Sequence, residues 1–403
     1  MKGFNQDWQK VRLGDICEIG NGGAYETLIV ENGDFKLISL NSIDIDGNLK
    51  NTMKRVNFYD NSLKQDDIVM VLSDVAHGDF LGLCAVIPSN DYVLNQRMGR
   101  LRIRNDCINI LFLRLYINAN QKYFKMQGQG SSQLNLSKKA IEDFEILLPP
   151  LNEQIAIANI LSDVDRYLYS LDALILKKES VKKALSFELL RQRKRLKGFN
   201  QAWQRVRLGN IGITISGLAG KIKQDFINGN AKYITFLNVL NNVIIDTSIL
   251  ENVKIYPNEK QNSFKKYDLF FNTSSETPKE VGMCAVLLDD IDQVFLNSFC
   301  FGFRIFDKAV DSLFLSYLIN SEIGRKAFEN LAQGSTRYNL SKSGFNNVCL
   351  ILPPLNEQIA IANILSDLDH EIISLKNKKR QFENIKKALN HDLMSAKIRV
   401  LKK

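Results

Sequence analysis

Reactive and metal-ligating side chains are sparse in this 403-residue chain. Its three histidines (His77, His370, His391) are dispersed, and its six cysteines (Cys17, Cys84, Cys107, Cys284, Cys300, Cys349) form no C-x-x-C pair and have no histidine at ligand spacing. A structural metal is therefore not expected, and the thiols are read as reduced and mostly buried. No phosphate-binding G-x-x-x-x-G-K-[ST] loop occurs. The nearest glycine cluster, Gly20-Asn21-Gly22-Gly23, fits G-x-G-x-x-G poorly and follows no convincing buried strand, so it reads as a domain turn. An S-adenosylmethionine loop and an Asn/Asp-Pro-Pro-aromatic site are both missing, and catalysis within the chain is not expected. No apolar run approaches the roughly 20 residues that span a bilayer, and Met1 to Trp8 lacks the apolar stretch of a signal peptide, so the expected location is cytoplasmic.

What the chain does have is repetition. Leu-Pro-Pro-Leu-Asn-Glu-Gln-Ile-Ala-Ile-Ala-Asn-Ile-Leu-Ser-Asp occurs twice without change, from Leu148 to Asp163 and from Leu352 to Asp367. Each copy reads as a Pro-Pro stop followed by a helix, with Asn152 (Asn356) as a candidate cap and Glu153 (Glu357) at the positive helix end. Beyond the first copy, Ile157, Leu161, Val164, Leu168, Leu171 and Ile175 step by four and three, as do Ile361, Leu365, Leu368, Ile372 and Leu375 after the second. That is the seam of a helix packed lengthwise on another. The first helix is expected from about Asn152 to Arg195, ended by Gly198, with a phase slip at Lys178 that Val181 corrects. The second is expected from about Asn356 to near Arg399.

A second repeat opens each half. Gly3-Phe4-Asn5-Gln6, Trp8-Gln9 and Val11-Arg12-Leu13-Gly14 return as Gly198-Phe199-Asn200-Gln201, Trp203-Gln204 and Val206-Arg207-Leu208-Gly209, and the only two tryptophans are this matched pair, read as packing anchors. Between the shared ends lie matched strands: Asp67-Ile68-Val69-Met70 with Asp268-Leu269-Phe270-Phe271, Gly82 to Val86 with Gly282 to Val286, and Val93-Leu94-Asn95 with Phe295-Leu296-Asn297. Each half is then a mixed α/β domain of about 150 residues, an ordinary domain size. Near its end stands a Gly-Ser/Thr loop, Gln129 to Lys138 or Gln333 to Lys342, which is a turn or a set of hydroxyls and amides able to meet phosphates and base edges.

The net charge is +9, but the stretches Lys177 to Lys197 and Lys376 to Lys403 carry +7 and +8, so the rest of the chain nets −6. Two basic helical stretches flank near-neutral domains. Such stretches are either solvated helix faces or surfaces for phosphates or a partner.

The order and wording of these repeats resemble the specificity subunit of Type I restriction-modification enzymes, over the whole chain. The marks are the paired Leu-Pro-Pro-Leu-Asn-Glu-Gln-Ile-Ala-Ile-Ala segments, the Gly-Phe-Asn-x-x-Trp-x-x-Val-Arg-Leu-Gly openings, and Asn95-Gln96-Arg97-Met98-Gly99-Arg100 after a Gly-x-Cys-Ala-Val strand. The resemblance implies an α+β fold with an internal pseudo-twofold repeat. Two tandem mixed α/β target-recognition domains (1–148 and 197–352) would be separated by two long antiparallel coiled-coil-like helices (149–196 and 353–403). It implies a non-catalytic DNA-binding subunit that reads a bipartite asymmetric site and positions two adenine methyltransferase (modification) subunits, with restriction subunits joining. S-adenosylmethionine, and ATP with Mg, would then sit on the partners. The loop residues favoured for double-stranded DNA are Lys36, Ser39, Asn41, Ser73, Ser131, Ser132 and Gln133 in the first domain, and Lys221, Lys223, Lys232, Thr273, Ser274, Lys279, Thr336 and Arg337 in the second. Leu151, Glu153, Gln154, Leu355, Glu357 and Gln358 are the candidates for docking the modification subunits. A rival reading is a tandem-domain adaptor for protein or glycan with a coiled-coil dimeriser, favoured by the near-neutral domains; another is a fused methyltransferase with unrecognised motifs.

Overall fold

A computed structural model of the chain describes residues 8–75, 78–334 and 337–400. They form two compact units, one of the described residues up to 172 with those from 377 on, the other of those from 173 to 376. The matched opening Gly3 to Gln6, and also His77, Ser335 and Thr336, lie outside the described residues.

In the first unit a four-stranded antiparallel sheet runs in the order Cys17–Asn21, Met98–Ile103, Ile68–Val71, Cys84–Val86. All four residues of Ile68–Val71 are buried, because helices cover one face and a smaller sheet the other. That smaller sheet is Lys54–Val56, Phe35–Ile38 and Tyr92–Leu94, with the last pair parallel. Helix Ile110–Ala119 is capped by Asn109 and locked to the Cys84 strand by Asn118, which accepts from the Cys84 N–H (2.8 Å) and donates to its carbonyl (3.0 Å). Gly82 has φ +78°, and a Cβ there would lie 2.4 Å from that of Phe124, so the turn before Cys84 requires glycine.

The second unit repeats this plan. Its sheets are Gly212–Ser216, Cys300–Ile305, Leu269–Asn272, Cys284–Val286 and Glu251–Val253, Ala231–Ile234, Val294–Leu296. Asn320 bonds the Cys284 backbone as Asn118 does that of Cys84. Asp67 and Asp268, buried, hold Arg102 and Arg304 through paired bonds of 2.6–2.8 Å. The core filling differs: Phe271, Phe301, Phe303 and Phe345 cluster with ring centroids 4.8–5.3 Å apart in four pairings, where the first unit has Met70, Gly99, Leu101 and Ile141.

The two long helices are Leu151–Leu190 and Leu355–Met394, 40 residues each, with neither proline nor glycine inside. Each opens on Pro150 or Pro354, whose carbonyl accepts the N–H of Glu153 or Glu357 at 2.9 Å; Asn152 and Asn356 are second helical residues and not caps. Gly198 does not end the first. Gln192 does, at φ +58°, with the Arg193 and Lys194 N–H groups turned back to the Glu188 carbonyl, and Ala396 (φ +57°) ends the second in the same way.

Within each unit the helical segments run antiparallel. In the first, Asp165 meets Lys386 and Asp172 meets Lys379 at 2.5 and 2.6 Å, with Tyr167 against Phe382. In the second, Lys178 meets Glu371, Glu179 meets Lys376 and Lys182 meets Asp369 at 2.5–2.7 Å. The helix is unbroken at Lys178, and Val181 is 40% exposed, so the apolar seam does not resume there. Burial returns at Leu189 and Leu190. Part of the basic excess is thus neutralised between helices. Of the cysteines, Cys17, Cys84, Cys284 and Cys300 are buried and Cys107 is exposed; burial pushes the Cys17 thiol up to about 12 and the other three higher.

Candidate nucleic-acid interface

Within each unit the tryptophan of the opening repeat meets the glutamate of the sixteen-residue repeat. In the first unit the Glu153 carboxylate, 2% exposed at the start of its helix, accepts from the Trp8 indole N–H (3.2 Å) and from Arg399 Nε and Nη2 (2.7 and 2.8 Å). In the second, Glu357, fully buried, accepts from Trp203 (3.2 Å) and from Arg195 Nε (3.1 Å) and Nη2. Gln154 and Gln358 bond outward from the same turn: each accepts a loop N–H (Asn109 or Asp311) and donates to the carbonyls of Pro149 and Cys107 or Pro353 and Ala309. The edge strands Gln9–Arg12 and Glu145–Leu148, or Gln204–Arg207 and Cys349–Leu352, pair beside them. Glu153, Gln154, Glu357 and Gln358 are accordingly not docking residues. Their side chains are buried and hydrogen-bonded within the chain, and only Leu151 (36% exposed) and the half-exposed Leu355 of that set reach the surface.

A second set of matched contacts gathers loops at one place in each unit. In the first, the Leu72 N–H donates to the Arg97 carbonyl (3.0 Å) and the Leu136 N–H to the Leu72 carbonyl (2.8 Å). Ser73–Val75 pairs with Gln133–Asn135, and Gln129 and Asn135 close the Gly-Ser loop. Of the predicted DNA residues this assembles Ser73, Ser131, Ser132 and Gln133. Ser131 and Ser132 are exposed, whereas Ser73 is 9% exposed and donates to Asn135 Oδ1 (2.5 Å), a bond internal to the ribbon. In the second unit Thr273 replaces Leu72: its N–H and hydroxyl both donate to the Phe299 carbonyl (2.9 and 2.8 Å), and Leu340 donates to its carbonyl (2.8 Å). Ser274–Ser275 pairs with Tyr338–Asn339, bringing Thr273, Ser274 and Arg337 together, with Ser274 buried at 4%. Thr336 lies outside the described residues.

The remaining predicted residues stand on the smaller sheets and nearby turns. Lys36 pairs with Asp91 (2.9 Å) and lies over Tyr92, and its bond to Asp91 raises its pKa; Ser39 caps the turn Leu40–Ser42, and Asn41 is exposed. Lys223, Lys232 and Lys279 are exposed. Lys221 is a correction. Its side chain, 4% exposed, is bound to Glu259 and to the Lys254 carbonyl and lies 5.2 Å from the Tyr256 ring centre, and its bond to Glu259 draws that carboxyl down to about 2. It holds a loop and is not free for phosphate.

Arg97 and Phe299 were not among the predicted residues, yet both stand in these loop clusters. The signal was present in the alignment of Asn95 with Asn297, which sets Arg97 against Phe299 two residues later. Among the described residues no group of three or more His, Cys, Asp or Glu could hold a metal, and no helix is long and apolar enough to cross a membrane.

A family model, the Type I restriction modification DNA specificity domain, matches residues 5–179 and again residues 200–384. The chain belongs to this family. It is similar to the Type I restriction enzyme MjaVIII specificity subunit of Methanocaldococcus jannaschii, 25% identical over 98% of this chain and 94% of that one. Its fold resembles that of the Type-I restriction-modification system S subunit from M. genitalium, with TM-score 0.64, 16% identity and 98% of both chains covered. It also resembles a chain from a structure on complex assembly and conformational transition of the type I R-M system, with TM-score 0.55, 14% identity, and 98% and 99% covered. The expected tandem, mixed α/β, DNA-binding specificity subunit is thereby established, and each family match covers one domain with most of its following helix.

Proposed function

We propose that this specificity subunit reads a split, asymmetric DNA site, one half with each domain, and positions two adenine-modification subunits and the restriction subunits on it without performing chemistry itself. The observation that carries the reading is one frame used twice with different tips. The clamps of Trp8, Glu153 and Arg399 and of Trp203, Glu357 and Arg195 coincide residue for residue, as do the loop-gathering bonds, while the exposed residues on those loops differ. Equal frames suit two copies of one partner, and unlike tips suit two unlike half-sites. The helices, each roughly 60 Å at 1.5 Å per residue, act as the coiled-coil spacer that sets the number of unread base pairs. S-adenosylmethionine, and ATP with Mg, belong to the partners, into which the target adenines are flipped. Near-neutral domains, with the basic excess confined to the helical stretches, are consistent with partners that complete the clamp on phosphate. Methylome sequencing of cells expressing the chain with its modification subunit tests this: a split motif with one methylated adenine per half is expected, and a methylome without one overturns it.

A further inference from the structure

The loop clusters of the two units differ at two matched positions. Arg97 takes the place of Phe299: each is two residues past Asn95 or Asn297, and its carbonyl accepts the N–H of Leu72 or Thr273. Gln133 takes the place of Arg337: each lies two residues before Asn135 or Asn339, whose N–H donates at 2.9 Å to the Gln129 or Gln333 carbonyl. Leu72 and Thr273 join both positions, since the same residue bonds the first tip and the strand leading from the second. Backbone placement is therefore shared and only side-chain chemistry changes. Among the described residues the guanidinium of Arg97, which is exposed, has no hydrogen-bond or ion-pair partner. Phe299 is 54% exposed although its neighbour Cys300 is buried, and the Arg337 guanidinium lies 5.5 Å from its ring centre. An exposed phenylalanine contributes nothing to the core, while a cation held over its face is oriented before any ligand arrives.

We propose that residues 97 and 133 in the first unit, and 299 and 337 in the second, are the specificity-determining pairs, and that they read different base chemistry. Arg97 reads a guanine in one half-site. Arg337 reads a guanine in the other, with Phe299 against the 5-methyl group of a neighbouring thymine. The chemistry follows from the major groove, where a guanidinium matches the O6 and N7 acceptors of guanine and an apolar side chain meets the thymine methyl, while the shorter amide of Gln133 suits adenine. An arginine already stacked on an aromatic ring loses less freedom on binding than a free one, which distinguishes Arg337 from Arg97. The inference rests on the DNA-reading role proposed above and goes further by assigning residues to bases.

The test uses the full chain with its modification subunits and the duplex that the methylome defines. In the parent complex, replacing the thymine beside the guanine of one half-site by deoxyuridine should weaken binding about four-fold, the effect of one buried methyl group, and Phe299→Ala should abolish that difference. Arg97→Lys keeps the charge and should relax guanine discrimination in the opposite half-site about ten- to a hundred-fold, with binding to an unrelated duplex unchanged. A split motif that stays intact in both variants overturns the assignment while leaving the DNA-reading role standing; no split motif in the parent overturns both. Relaxation of the same half by both variants, equal weakening on every duplex, or no effect of deoxyuridine in the parent also overturns the assignment. The last needs no variant to fold.

Discussion

Removing Arg399 should cost the first unit more stability than its place near the chain end suggests. Its guanidinium supplies two of the three donors to Glu153, a carboxylate only 2% exposed, and Arg399→Ala leaves that charge with the Trp8 N–H among the bonds described. Breaking a buried pair by deleting one partner costs about 3–5 kcal/mol. Because the arginine side chain is 35% exposed, solvent screens part of the interaction and hydrates part of what is left, which brings the expected loss to about 2–3 kcal/mol. At about 2–4 °C per kcal/mol for a unit of this size, the melting transition should fall by about 4–12 °C. Glu153→Ala should cost less, since the guanidinium is 35% exposed and can turn to water, and the double variant Glu153→Leu with Arg399→Met should recover part of the loss by burying no charge. Scanning calorimetry on the full chain reads all three. An Arg399→Ala chain melting within 1 °C of the parent, or a double variant as unstable as the single, would refute the account of the clamp.

Asp311 caps helix Ser312–Asn320 by accepting from the Phe314 N–H at 2.7 Å, but burial raises its pKa, and the matched cap in the first unit is Asn109. A folded pKa above the unfolded one means that ionisation costs stability as pH rises, so Asp311→Asn should keep the cap and gain stability at pH 7, a gain that vanishes as pH falls below the ordinary carboxylate pKa; urea midpoints at pH 7 and pH 3.5 check the sign. Inserting four residues after Lys178, about one helical turn, should change the spacer in the methylated motif and leave both half-sites as they are, whereas an unchanged spacer removes the ruler role from the helix.

The repeated domain plan and both long helices were legible because strand and helix periodicities survive in each copy. The clamp was not. Trp8 and Glu153 each stood out, but 145 positions separate them, and nothing in one dimension says that a glutamate repeated in both copies is held by an indole and a guanidinium closing over it. The same blindness placed Lys221 on the DNA, since its neutralising partner Glu259 lies 38 residues away. Helix ends were misplaced for a local reason: a glycine was expected at the left-handed position, and Gln192 and Ala396 take it instead, held by the returning hydrogen bonds of the last turn. Arg97 and Phe299 were left out of the candidate DNA contacts because only the asparagine two positions before each is shared between the copies, and the letters alone do not show where the loops gather.

The sixteen identical residues carry one more consequence. Gln154 and Gln358 bond equivalent carbonyls, and Glu153 and Glu357 accept from the same kinds of donor, so the joint between a reading domain and its helix cannot tell which domain precedes it. A chain that crossed from one copy to the other within this stretch would meet equivalent partners at the seam. The joint is therefore a standard fitting, and under the DNA-reading role proposed above one domain could be exchanged for the other with the joining contacts the same in kind.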